Sequence, residues 1–161
     1  MLPRVPSKAH PTLESLVTSG LGGDGWLVKN SDGRDSVIRM YNYADKKNVL
    51  CARASSGPLK LRIDVEHGGL PMSVCEVPCP WGRCAAGRDL LRGNVEFALD
   101  GEAMPHAALS DDKQPKNLHA MIEQHTCFIV AQAVSAGRHE LSVTPKIKEG
   151  NYVFLSHVIH Y

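Results

Sequence analysis

The chain is predicted to fold as an all-β domain, a two-layer antiparallel β-sandwich with at most a short helix near its N-terminus. Three observations predict it. Short segments alternate apolar and polar residues, turn residues separate them, and several carry the β-branched or aromatic side chains that suit a pleated surface. Fourteen glycines and ten prolines in 161 residues supply the many turns such an architecture needs. A chain of this length buries roughly two thirds of the surface it exposes when unfolded, enough for one core and not two.

Residues 1–24 read as an N-terminal arm with Pro3, Pro6 and Pro11, in which TLESLVTSGL has the composition of a short helix stopped by Gly22-Gly23-Asp24-Gly25. The sandwich is expected over 25–161. GWLVKN opens it, followed by SVIRMYNY, VLCARAS, LKLRIDVEH, MSVCEV and NVEFALDG, six strand candidates before residue 102. In LKLRIDV the residues Leu59, Leu61, Ile63 and Val65 fall on one face and Lys60, Arg62 and Asp64 on the other, because successive strand side chains point to opposite sides. NVEFALDG repeats the pattern with Val95, Phe97 and Leu99, and its Asp100-Gly101 is a hairpin-turn signal. Residues 103–120 lack a pattern and are expected to form a surface loop. TCFIVAQAV and HELSVTP restore strands, and YVFLSHVIHY carries two interleaved apolar sets, as in a strand covered on both sides or a pair of short strands.

Lys+Arg 18 against Asp+Glu 17 leaves a formal charge of +1, so there is no basic excess to neutralise a phosphate backbone, and nucleic acid is not an expected partner. No apolar run approaches the ~18 residues that span a bilayer, so no membrane insertion is predicted. The start of the chain lacks the apolar core of a signal peptide. The expected setting is secreted or luminal, as one piece of a longer protein.

Five cysteines cannot all pair within one chain. Cys51 and Cys127 sit in apolar strand-like runs and read as buried small hydrophobes. Cys75, Cys79 and Cys84 lie in the turn-rich CEVPCPWGRC, where a Cys79–Cys84 or Cys75–Cys84 disulfide is the leading reading; a Cys3His zinc site with His67 stays open as a weaker one.

The order of these pieces resembles the jelly-roll accessory domains, related to carbohydrate-binding modules, that accompany SGNH/GDSL-type esterases and other carbohydrate-active proteins. The matching pieces are Gly25-Trp26, a strand ending at Cys51-Ala52, SGPLKLRI, the Leu99-Asp100-Gly101 turn, Gly137 to Val143, and the apolar run from Val153 to Ile159. The likeness spans roughly residues 25–161, departs at CEVPCPWGRCAAGRD, and includes no Gly-Asp-Ser nucleophile segment. It implies a non-catalytic module that binds carbohydrate beside a catalytic domain.

Sugar recognition uses aromatic faces against pyranose C–H groups, with polar side chains fixing the hydroxyls. Trp81, between Pro80 and Gly82, is the foremost candidate, with Arg83 beside it. Tyr41 and Tyr43 share one strand face and Trp26 follows a Gly-rich turn, where burial is the favoured alternative. Asp24, Asp32 and Asp35 offer hard oxygen ligands for calcium, although tight turns account for the same residues.

No catalytic motif is complete, so no enzyme is predicted. A G-x-S-x-G elbow is missing, and Asp111-Asp112 lies beside Lys113 in the expected loop. His157 and His160 fall on opposite strand faces, and His106, His119 and His125 read as surface residues. Two other readings stay open: a protein-interaction or structural sandwich, possible as a dimer, and a small hydrolase with a histidine-based site that spacing does not reveal.

Overall fold

Alternation becomes burial in the first layer. The computed structural model describes residues 13–30, 48–76, 86–104, 110–111 and 126–160. Within them Leu59, Leu61 and Ile63 of β4 (Leu59–Val65) are fully buried and Val65 nearly so, while Arg62 and Asp64 face solvent. β10 (Gly137–Pro145) pairs with β4 on one side and β6 (Val95–Leu99) on the other. The edges are β1 (Val17–Ser19) and β7 (Glu102–Met104), giving the order β1-β4-β10-β6-β7. Asp100, at φ +52°, and Gly101, at φ +82°, make the tight turn from β6 to β7 that the Asp-Gly pair predicts.

The second layer combines two sheets. One has the order β11-β3-β2, from β11 (Tyr152–Leu155), β3 (Asn48–Arg53) and β2 (Leu27–Asn30). The other has the order β12-β5-β9-β8, from β12 (His157–Ile159), β5 (Leu70–Glu76), β9 (Thr126–Val134) and β8 (Ser110–Asp111). Only Ser156 separates β11 from β12, and its N–H and Oγ both donate to the Cys75 carbonyl, at 2.8 and 2.9 Å. Of the two readings open for YVFLSHVIHY, the pair of short strands is the one that forms.

The layers meet in one apolar cluster that includes Leu61, Phe97, Leu141 and Val143 from the first and Leu50, Val74, Phe128 and Leu155 from the second. Phe97 and Phe128 touch edge to face across it, centroids 5.7 Å apart. Each such side chain contributes about 1.5–3 kcal/mol when fully withdrawn from water.

Two expectations change. The boundary at residue 25 moves, because a 3-10 helix (Leu13–Leu16) runs into β1, which pairs with β4. Gly20 then turns the chain at φ +96°, where any side chain would collide with the Pro58 carbonyl oxygen. The stretch expected to be loop from 103 onward also contributes strand residues, since Ala103 and Met104 pair with β6 and Ser110 and Asp111 with β9. Backbone pairing with a neighbouring strand, invisible in local composition, overrides a polar local pattern. SVIRMYNY lies outside the described residues. Among the described residues no helix is long and apolar enough to cross a membrane.

Candidate functional site

The 77–85 segment, which carries Trp81 and Arg83, lies outside the described residues; its two roots lie within them. On the departing side, β5 ends at Cys75 and Glu76. Cys75 stands directly opposite Cys127 of β9, and the two form a disulfide with a Cα–Cα distance of 4.1 Å. Glu76 is 1% exposed, and its Oε2 accepts the backbone N–H of Leu91 at 2.7 Å. Burial raises the Glu76 pKa above the usual carboxylate value, while that hydrogen bond and the Arg88 charge pull it back down.

On the returning side the backbone is laced to β11. Tyr152 N–H donates to Gly87 O and Asp89 N–H donates to Tyr152 O, both at 2.8 Å. The guanidinium of the buried Arg88 sits 4.8 Å from the centre of the Phe154 ring, and Phe154 stacks at a tilt on Tyr152 with centroids 5.3 Å apart. Asn151 Nδ2 donates to Asp89 Oδ2 at 3.0 Å. A buried carboxylate, a buried guanidinium and a disulfide thus stand at the base of one segment. Each is costly to bury or constrain without its partner.

A second polar cluster joins two turns of the first layer. Asp100 Oδ2 lies 2.6 Å from His139 Nδ1, and His139 Nε2 lies 2.7 Å from the Ser135 carbonyl oxygen and 3.4 Å from Ser135 Oγ. A carboxylate, an imidazole and a hydroxyl in a row have the outline of a nucleophilic triad. The carbonyl contact decides otherwise. An oxygen that can only accept requires a proton on Nε2, so that nitrogen has no lone pair to take a proton from Ser135. With Nδ1 donating to Asp100, both ring nitrogens are donors, and the cluster is an imidazolium clamp. The Asp100 hydrogen bond first, and the Ser135 carbonyl second, raise the His139 pKa; the Glu140 N–H, at 2.8 Å from Asp100 Oδ1, and His139 lower that of Asp100.

The structure corrects several sequence expectations. Cys127 is not a buried thiol and Cys75 does not pair with Cys84: the bond is Cys75–Cys127. That bond also withdraws Cys75 from the Cys3His zinc set, because a disulfide sulfur is no thiolate ligand. His67 is exposed, 4.0 Å from Glu66. Strand register brings Cys75 and Cys127 together across 52 residues, which local spacing among Cys75, Cys79 and Cys84 does not anticipate. Cys51 is buried, as its apolar run predicts.

Trp26 is fully buried and donates through Nε1 to Gly57 O at 3.0 Å, so it is a core residue and presents no face to a ligand. Asp24 is exposed in a turn closed by hydrogen bonds from Gly25 N–H to Gly22 O and from Trp26 N–H to Gly20 O. Among the described residues no three His, Cys, Asp or Glu side chains converge on a metal position.

Tyr41, Tyr43, Asp32, Asp35, Cys79 and Cys84 lie outside the described residues, as do His106, His119, His125 and Asp112. Tyr41 and Tyr43 belong to the segment between Asn30 and Asn48. The segment leaves β2, whereas 77–85 leaves β5, and register makes these two strands run in opposite directions. The residues missed from sequence are Glu76, Arg88, Asp100 and His139. A glutamate at the end of an apolar strand, and Asp-Gly and Gly-Arg-His turns that neighbouring strands align, were the available signals.

Comparisons with protein-family models, with curated proteins and with solved structures found no match.

Proposed function

We propose that this chain is a non-catalytic module that binds carbohydrate through the 77–85 segment, with Trp81 as the stacking surface and Arg83 as a hydroxyl partner, beside a glycan-modifying domain in a secreted or luminal setting. The observation that carries the reading is the anchoring of that segment. Its roots are pinned by the Cys75–Cys127 disulfide, the Glu76–Leu91 hydrogen bond and the Arg88–Phe154 stack. Binding residues work from loops that a rigid scaffold positions. The jelly-roll resemblance points to the same use, and the disulfide suits an oxidising compartment. The His139 wiring removes that imidazole as a general base for Ser135.

The test is a glycan array with the intact chain and with Trp81→Ala, each checked for an unchanged unfolding midpoint. Binding that falls more than tenfold in the variant supports the reading; a wild-type chain that binds no glycan overturns it. A second reading, as a protein-interaction sandwich, draws on β2, an end strand in the order β11-β3-β2 whose Leu27 and Val28 are exposed. A dimer that Leu27→Lys dissociates, in sedimentation, would favour that second reading.

A further inference from the structure

We infer that His139 is a pH-operated latch: its proton decides which group of Ser135 the ring holds, the backbone carbonyl or the hydroxyl, and thereby where the Ser135–Ala136 peptide sits. The latch is independent of the carbohydrate reading. β9 runs from Thr126, opposite Glu76, to Val134, opposite Leu70, so the latch lies at the other end of that strand pair from the 77–85 roots.

His139 is an inward-facing residue near the start of β10. Leu141 and Val143 share its side of the strand and are fully buried, and its own side chain is 10% exposed. Nδ1 stands 2.6 Å from Asp100 Oδ2, so Asp100 keeps a proton on Nδ1 in either charge state. Nε2 is the variable position. It lies 2.7 Å from the Ser135 carbonyl oxygen and 3.4 Å from Ser135 Oγ. A protonated Nε2 needs an acceptor, and the nearer carbonyl is one; the arrangement in the structure is that of the imidazolium. Once the proton leaves, two lone pairs face each other at the shorter distance, and the group that fits is the hydroxyl, which can donate. One residue carries the partner for each state. Closing the hydroxyl contact from 3.4 Å to the usual ~2.8 Å requires the carbonyl to give way.

Asp100 is the charged group in contact with the ring, and its other oxygen accepts the Glu140 N–H. Arg138 and Glu140, on either side of His139, point to the opposite face of the sheet and pair there with Asp64 and Lys60 of β4. Ile63 is the β4 residue opposite His139, and Arg62 is exposed on the outer face. Glu102, past the β6–β7 turn, is exposed, as are Glu66 and His67 between β4 and β5.

The peptide that carries the switching carbonyl lies against the β4–β5 turn. A Cβ on Gly68 would meet Ala136 N at 2.9 Å and the Ser135 carbonyl carbon at 3.6 Å, so glycine is what lets the peptide lie there. Beside it Gly69 N–H donates to Val134 O at 2.8 Å. β4 and β10 belong to the first layer and β5 and β9 to the second, so both connections pass between layers at this place. A shift of the Ser135–Ala136 peptide therefore disturbs both crossings, while Asp100 holds the ring to the β6–β7 turn.

The test is an NMR titration of the intact, isotope-labelled chain across neutral pH, in wild type and Ser135→Ala, following the His139 ring nitrogens and the exchange of the Gly69 amide. The expected result has three parts. Nε2 loses its proton while Nδ1 keeps its own. Protection of the Gly69 amide, corrected for the intrinsic pH dependence of exchange, falls about fivefold above the His139 midpoint. In Ser135→Ala the midpoint lies about half a pH unit higher, because the neutral ring has lost its donor while the imidazolium keeps its carbonyl. A clamp without the handover leaves that midpoint where it is in wild type, and this outcome, or loss of the proton from Nδ1, overturns the inference. Gly69 protection that is constant through the His139 titration overturns the movement of the turn. If Ser135→Ala does not fold, the wild-type ring and exchange data decide by the same criteria. Failure to bind any glycan leaves the latch untouched.

Discussion

Breaking the Cys75–Cys127 bond will remove a large share of this domain's stability. The two cysteines are separated by 52 residues, and opening the bond frees a loop of that size in the unfolded chain. Loop-closure entropy for about fifty residues corresponds to about 4 kcal/mol at 25 °C. The folded state gives little of that back, since β5 and β9 remain paired from Leu70↔Val134 to Glu76↔Thr126 without it. Against a total of about 5–15 kcal/mol for a domain, this is a substantial fraction. With a urea dependence of about 2 kcal/mol per molar, the midpoint drops by about 2 M. The assay is urea unfolding of the oxidised chain and of the Cys75→Ala/Cys127→Ala double variant, read from tryptophan fluorescence. Midpoints within about 0.5 M of each other would refute the entropic argument. A non-reducing peptide map linking Cys75 to Cys84 would refute the pairing itself.

Removing the imidazolium clamp with His139→Gln will cost about 1–2 kcal/mol near pH 6, the value of a charge-assisted hydrogen bond discounted because Asp100 is half exposed. The raised His139 pKa makes its contribution complete below the ordinary value of 6.5 and lost as pH rises through the folded value. The lowered Asp100 pKa makes its contribution complete above 3.8 and lost as pH falls through the folded value. The difference in stability between wild type and variant, measured by denaturant unfolding, therefore peaks between those two values; a difference that stays constant into alkaline pH contradicts the wiring. Glu76→Ala leaves the Leu91 N–H without its acceptor and Arg88 without its counter-charge in a buried place, a loss of about 3 kcal/mol, whereas Glu76→Gln retains an acceptor and costs about 1 kcal/mol. Thermal unfolding of the two variants checks that order. Because Glu76's pKa is raised on folding, wild type loses stability as pH climbs through the folded value, and Glu76→Gln does not.

What local sequence determined here was the strands. Period-two alternation decides which side of an extended segment is withdrawn from water, and it does so within five to nine residues, so β4, β6, β9 and β10 were legible one by one. Asp100-Gly101 marked its own turn for the same reason, since the backbone angles it adopts are a local property. Only tertiary structure decided which strands neighbour which, and everything near the candidate site depends on that. Cys75 meets Cys127, His139 meets Asp100 across 39 residues, Asn151 meets Asp89 across 62, and Trp26 sinks into the core to reach Gly57. None of these pairs has a spacing signature, because contact between strands depends on the register of the ladder and not on distance along the chain.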